Sequence, residues 1–207
     1  MFLRHALPVL LAGLIAQTTS WPSGFKGQPA DAKDWKEHTV DAGSARLRVF
    51  LPTQWTLSLV PFSDFEIFSA TDVSQAFLLS IDEVNPSSFV FDKPLPKETI
   101  QESITAMQEG IGPRGYEVVG GGQIRAGAQL WMWHEARMTT LGAFTNVGPI
   151  GSGRTWLFTS TPSGQRLTLR CTILYPRGAG DADVGEKTRQ GGSVFVSILE
   201  RLKVERK

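Results

Sequence analysis

Arg166-Leu167-Thr168-Leu169-Arg170-Cys171-Thr172-Ile173-Leu174-Tyr175 is the stretch on which the fold class turns. Leu167, Leu169, Cys171, Ile173 and Tyr175 alternate with Arg166, Thr168, Arg170 and Thr172. A strand sends successive side chains to opposite faces, so this period of two marks a strand with one face on a core. Cys171, the only cysteine, belongs to the apolar set. One thiol cannot close an intrachain disulfide, and on that face it reads as a small buried hydrophobe.

The strands around this one follow at short spacing. Thr161-Pro162-Ser163-Gly164 is a tight turn leading back to a strand over residues 154–160. Residues 129–141 and 143–147 precede it, and residues 116–119 and 123–126 flank Gly120-Gly121-Gly122. Neighbours this close in sequence pair antiparallel. Nearer the N-terminus, residues 37–40 and 46–51 flank a turn cluster as a hairpin, followed by strands at 55–60, 64–70 and 76–84. The last of these is nearly all apolar, as in a strand covered on both faces.

Two segments carry the helical period instead. Ile100, Ile104, Met107 and Ile111 form one stripe over residues 96–110, with Pro96 at the start and Gly110 at the end. Glu98 and Glu102 near that start suit the helix dipole. Phe195, Ile198, Leu199 and Leu202 mark a C-terminal helix. The expected architecture is α+β: an α/β/α sandwich in which a mostly antiparallel sheet is covered by a mid-chain and a C-terminal helix. Residues 36–207 form one domain, since no repeat, long linker or low-complexity block divides them. With 41% apolar and 20% charged residues, the composition is that of a folded chain rather than a disordered one.

The first twenty residues differ. Arg4 and His5 open a basic start, residues 6–16 are apolar apart from Pro8 and Gly13, and Gln17-Thr18-Thr19-Ser20 is small and polar. That order predicts a secretory signal peptide over residues 1–20, with Thr18 and Ser20 at the small-residue positions before Trp21. The apolar stretch is short of the ~20 residues a membrane span needs. Residues 21–35, rich in Gly, Pro and Ala, read as a flexible lead-in. Loss of residues 1–20 removes Arg4 and no acidic residue, leaving a net charge of zero. A neutral chain offers no basic face for nucleic acid, and no integral membrane segment is expected after cleavage.

Few residues suggest chemistry. Residues 148–155 match a phosphate-binding loop except that Arg154 stands where lysine belongs; Trp156-Leu157-Phe158 beyond it favours a strand, so no helix N-terminus faces a phosphate. Asp181, Asp183 and Glu186 lack the Gly-centred loop of a cation site and suit the start of a helix. His38 and His134 are the only histidines past the leader, and no Gly-x-Ser-x-Gly elbow accompanies them. His134 and Glu135 point to opposite faces of their strand and form no dyad. Trp131 and Trp133 share a face. They read either as core under a helix or, with Arg154, as the lining of a ligand pocket. The expectation is therefore no catalytic constellation, no metal and no cofactor, with Trp131, Trp133 and Arg154 as candidate ligand-binding residues.

The element order resembles the PsbP-like fold group, which includes photosystem II oxygen-evolving proteins, the Mog family of Ran-binding proteins and bacterial envelope proteins of the DcrB type. The resemblance rests on Leu51-Pro52-Thr53-Gln54-Trp55 after an early strand and on the helix over 96–110. It continues through the strands carrying Trp131, Trp156 and Cys171, and closes with a helix bearing Phe195, Ile198 and Leu199. It covers residues 36–204 and implies the same sandwich. It transfers no functional residue, because the group spreads one scaffold over unrelated roles; the photosynthetic members' chloride and calcium roles find no matching positions. With the leader, it implies an exported, non-enzymatic envelope protein that acts as a protein-binding or accessory module, periplasmic before secreted. The alternative is a small-ligand binder or hydrolase with a pocket near the tryptophan-bearing strands.

Overall fold

A computed structural model describes residues 21–25, 34–42, 45–62, 65–71, 77–86, 92–138, 150–162, 165–176 and 178–206. The signal peptide expected over residues 1–20, the middle of the expected lead-in and the strand expected at residues 143–147 lie outside the described residues. The strands are β1 (Trp35–Ala42), β2 (Ala45–Pro52), β3 (Thr56–Phe62), β4 (Phe65–Thr71), β5 (Phe77–Pro86), β6 (Tyr116–Ala126), β7 (Gln129–Met138), β8 (Ile150–Ser160), β9 (Gln165–Pro176) and β10 (Lys203–Arg206). Helix α1 (Lys97–Ile111) lies between β5 and β6, and α2 (Asp181–Arg201) between β9 and β10.

The strands run in the order β10-β2-β1-β4-β5-β9-β8-β7-β6, with β3 attached to β4 alone. The pairings between described strands are antiparallel. β1 meets β4 through one residue pair, Ala42 with Phe65, so the array is two antiparallel sheets joined at β4.

The helices take opposite faces. On β7 the odd residues Trp131 and Trp133 enter the main core, where Phe195, Ile198 and Leu199 of α2 also lie. The even residue His134 meets Ser103 of α1. α2 contacts β9 in the middle of the strand order and β2 and β6 near its two ends, so the sheet curls around it. Val40, Leu47, Ala70, Leu79, Leu169, Trp156, Trp131 and Ile124, drawn from eight strands, join one cluster on that concave side. Each large apolar side chain so covered contributes about 1.5–3 kcal/mol. α1 covers β6 and the adjacent edge of β7, with Ile100, Ile104 and Val118 as a smaller second core.

The architecture is thus the expected α+β sandwich, with local corrections. Residues 120–122 do not break the chain into two strands: β6 runs through all three glycines, with a bulge between Val118 and Gly120. They are there for contact distance. A Cβ at Gly121 would lie 2.7 Å from Ile104, so the absent side chain lets α1 press onto the strand. Gly110 lies inside α1, which runs to Ile111 before a short 3-10 turn over Gly112–Arg114. β10, which the sequence does not announce, pairs with β2.

The lead-in is anchored at both ends rather than loose throughout. β1 begins at Trp35. Residues 21–25 pack onto the concave core: Phe25 is 7% exposed, with its ring 4.8 Å from that of Trp156 and 6.3 Å from that of Phe195. Trp21 lies 6.4 Å from Phe158. α2 admits Phe25 because position 192 is glycine; a Cβ there would stand 2.7 Å from the Phe25 ring.

Candidate functional site: a charged rim beside the concave core

β7, β8 and β9 are in register so that Glu135 faces Trp156, Trp156 faces Cys171, Arg137 faces Arg154, and Arg154 faces Ile173. Paired residues in a sheet point to the same face. Glu135, Arg137 and Arg154 therefore extend the Trp131–Trp133 row along the concave side, toward the end where β9 turns into α2. Tyr175 stands close by; its hydroxyl is within 2.8 Å of Thr188 Oγ1 on α2.

Glu135 is buried, with 7% of its side chain exposed. Arg154 Nη1 is 3.6 Å and Arg137 Nε 3.8 Å from its Oε1. Both distances exceed hydrogen-bond length, and Oε1 has no hydrogen-bond partner. Burial pushes the carboxyl above the ordinary glutamate range; Arg154, then Arg137, then the Trp156 indole pull it back less strongly. The Trp156 pull is weak contact rather than a formed bond, because its Nε1 is itself without a partner. Burial likewise raises the Tyr175 phenol, against the Thr188 hydrogen bond. Arg137 and Arg154 are 49% and 27% exposed, and Glu135 is their one carboxylate among the described residues. Two partly exposed guanidinium groups thus share one buried negative charge.

The residues singled out in the sequence divide accordingly. Trp131 and Trp133 are core, at 0% and 6% exposed, and offer no aromatic face to solvent. Arg154 reaches the rim. Glu135 and Arg137 complete it, and the sequence reading passed over them. The available signal was the strand period itself: residues 131, 133, 135 and 137 all fall on one face. The residues of the phosphate-loop match from Ile150 onward lie in β8, so no helix N-terminus follows them. Two surface clefts, about 610 Å³ along the outer side of α1 and about 450 Å³ where β9 passes into α2, include none of Trp131, Trp133 and Arg154.

His134 sits on the opposite face, 2% exposed, with Nε2 2.8 Å from Ser103 Oγ. Burial, aided by the Arg166 charge, lowers its pKa to about 4, so the ring is neutral at neutral pH. Nucleophilic chemistry would need an acceptor on Nδ1 and donors for a developing oxyanion. Nδ1 has no hydrogen-bond partner, and Ser103 lies in the middle of α1, where backbone N–H groups are consumed by the helix. The pair is a clamp between helix and sheet. Asp181 and Asp183 occupy the first turn of α2, and Glu186 pairs with Arg189. Among the described residues no group of three His, Cys, Asp or Glu side chains is placed to hold a metal ion, and no helix is long and apolar enough to cross a membrane. Cys171 is buried beside Trp156.

No known protein-family model matches this chain, and neither does any curated protein.

Proposed function

We propose that the chain is an exported, non-enzymatic envelope protein that acts as an accessory module by binding another protein, and that it does so at the Arg137–Arg154 rim. The observation that carries this reading is the surplus positive charge there: two guanidinium groups answered by one buried carboxylate oxygen. The concave side, where a small-molecule pocket would open, is filled by α2, Trp131, Trp156, Phe158 and Phe25. Recognition is left to the surface, and a partly desolvated arginine is among the side chains that contribute most to protein interfaces. The leader over residues 1–20 and the PsbP-like element order support an envelope location, periplasmic before secreted.

The test is cross-linking in intact cells with the tagged full-length gene. A partner captured by the wild type should be lost from the Arg137→Ala/Arg154→Ala double variant and kept by Arg125→Ala, which alters an exposed arginine on β6. Capture that ignores the rim charges sinks the interface. Fractionation with mass spectrometry of the N-terminus tests export, and a cytosolic chain still starting at Met1 contradicts it.

A further inference from the structure

We infer that the rim takes a single carboxylate group of the partner protein, gripped by Arg137 and Arg154 in front of Glu135. The inference rests on the protein-binding reading above and names its ligand chemistry. Each guanidinium has five N–H donors in a rigid fork. Arg137 turns Nε and Arg154 turns Nη1 toward Glu135. The remaining donors of both have no carboxylate among the described residues, and both side chains reach solvent. Arginine forks match a carboxylate through paired N–H···O bonds.

Charge selects the ligand. Two guanidinium groups and one ionised Glu135 leave one positive charge, which a carboxylate neutralises. A doubly charged phosphate would leave the rim negative, beside a carboxylate that is more than nine-tenths buried and cannot turn away to water. Glu135 is thus a positioning residue. It sits behind both arginines in the register of β7 and β8, holds them near each other, and repels ligands of higher charge. It does not saturate them, since its Oε1 makes no hydrogen bond.

The experiment titrates the full chain, after removal of its leader, with four probes by calorimetry: acetate, inorganic phosphate, and an acetylated tetraalanine peptide with either a free or an amidated C-terminus. The free-acid peptide should bind at least tenfold more tightly than the amide. Arg137→Gln and Arg154→Gln should each weaken it about tenfold, and Arg154→Lys, which keeps the charge and loses the fork, should fall between. Glu135→Gln should tighten the free-acid peptide and admit phosphate, whereas a merely structural Glu135 would weaken every probe or none. Equal binding of acid and amide, or arginine variants without effect, overturns the carboxylate assignment. If the cross-linked partner is still lost in the double variant, the rim survives as an interface and only its ligand chemistry falls. If both fail, the protein-binding reading goes too.

Discussion

Two buried titratable side chains stand back to back on β7, His134 on the α1 face and Glu135 on the α2 face, and they push stability in opposite directions with pH. His134 stays neutral in the fold down to about pH 4, while an unfolded histidine takes up its proton near 6.5. Between those values the unfolded chain binds more protons, so stability falls as pH drops from about 6.5 toward 4, by roughly 3 kcal/mol for this group. Urea unfolding at pH 7 and pH 5 should show the loss in the wild type and a smaller one in His134→Gln. Ser103→Ala leaves Nε2 buried without a partner and should cost about 1–3 kcal/mol. Glu135 has the reverse sign. Its raised pKa means that ionising it opposes folding, so its contribution is present below the unfolded glutamate pKa and is lost as pH rises through the folded one. Glu135→Gln should raise the melting temperature at pH 7, and the gain should vanish near pH 4; a lower melting temperature at pH 7 would contradict the burial argument. At this scale the strand period placed Trp131 and Trp133 on one face from sequence alone, and the same period, carried two and four residues further, leads to Glu135 and Arg137. The rim was not legible, because Arg154 joins it only through the register of β8 against β7, a pairing that no local pattern encodes.

Among elements, α1 was the easiest to read, since its isoleucine stripe needs only the helical period. β6 was misread because glycine usually interrupts a strand; here the interruption is compensated by the close approach of α1 to Gly121. β10 was invisible because four residues with one apolar side chain carry no pattern, and pairing with β2 alone makes them a strand. β6 ends the strand order, and an uncovered sheet edge invites another chain. α1 blunts that edge with one amide. Gln108 Oε1 accepts from Val118 N at 2.6 Å, and Nε2 donates to the Tyr116 carbonyl at 3.4 Å, as a neighbouring strand would. In the reverse direction the Gln123 side chain of β6 accepts from Leu95 N and donates to the Leu95 carbonyl, tying the segment before α1 to the sheet. Gln108→Ala should therefore shift sedimentation toward larger species as concentration rises, with the fold unchanged by circular dichroism. An unchanged sedimentation profile would show that the edge is protected by something other than this side chain.

Across the whole molecule, the concave core is where stability should be concentrated, and it joins segments far apart in sequence. Trp133→Ala should cost about 3–5 kcal/mol, and so should Phe25→Ala, although residue 25 lies in a segment that composition alone marks as loose. Composition misleads there because Pro22 and Gly24 report the turn that delivers Phe25 and say nothing of where its ring goes. Gly192→Ala gives a cleaner check. In the wild type the new Cβ meets Phe25 and should destabilise by about 1–3 kcal/mol. With Phe25→Ala the two ring contacts are gone and only the residue 25 Cα, 3.1 Å from the new Cβ, remains, so the same change should cost clearly less than in the wild type, helped by the better helix propensity of alanine. Additivity between the two changes would mean that the ring and the helix do not meet.

The Phe25–Phe195 contact also sets a schedule. On the order of 170 residues separate the two rings, so the interior cannot close until α2 has been synthesised, and topologies dominated by such distant pairings fold slowly. At usual elongation rates that interval is on the order of ten to thirty seconds. For that time the growing chain can close the small core of Ile100, Ile104 and Val118 but not the concave one, so the two cores are completed in order rather than together.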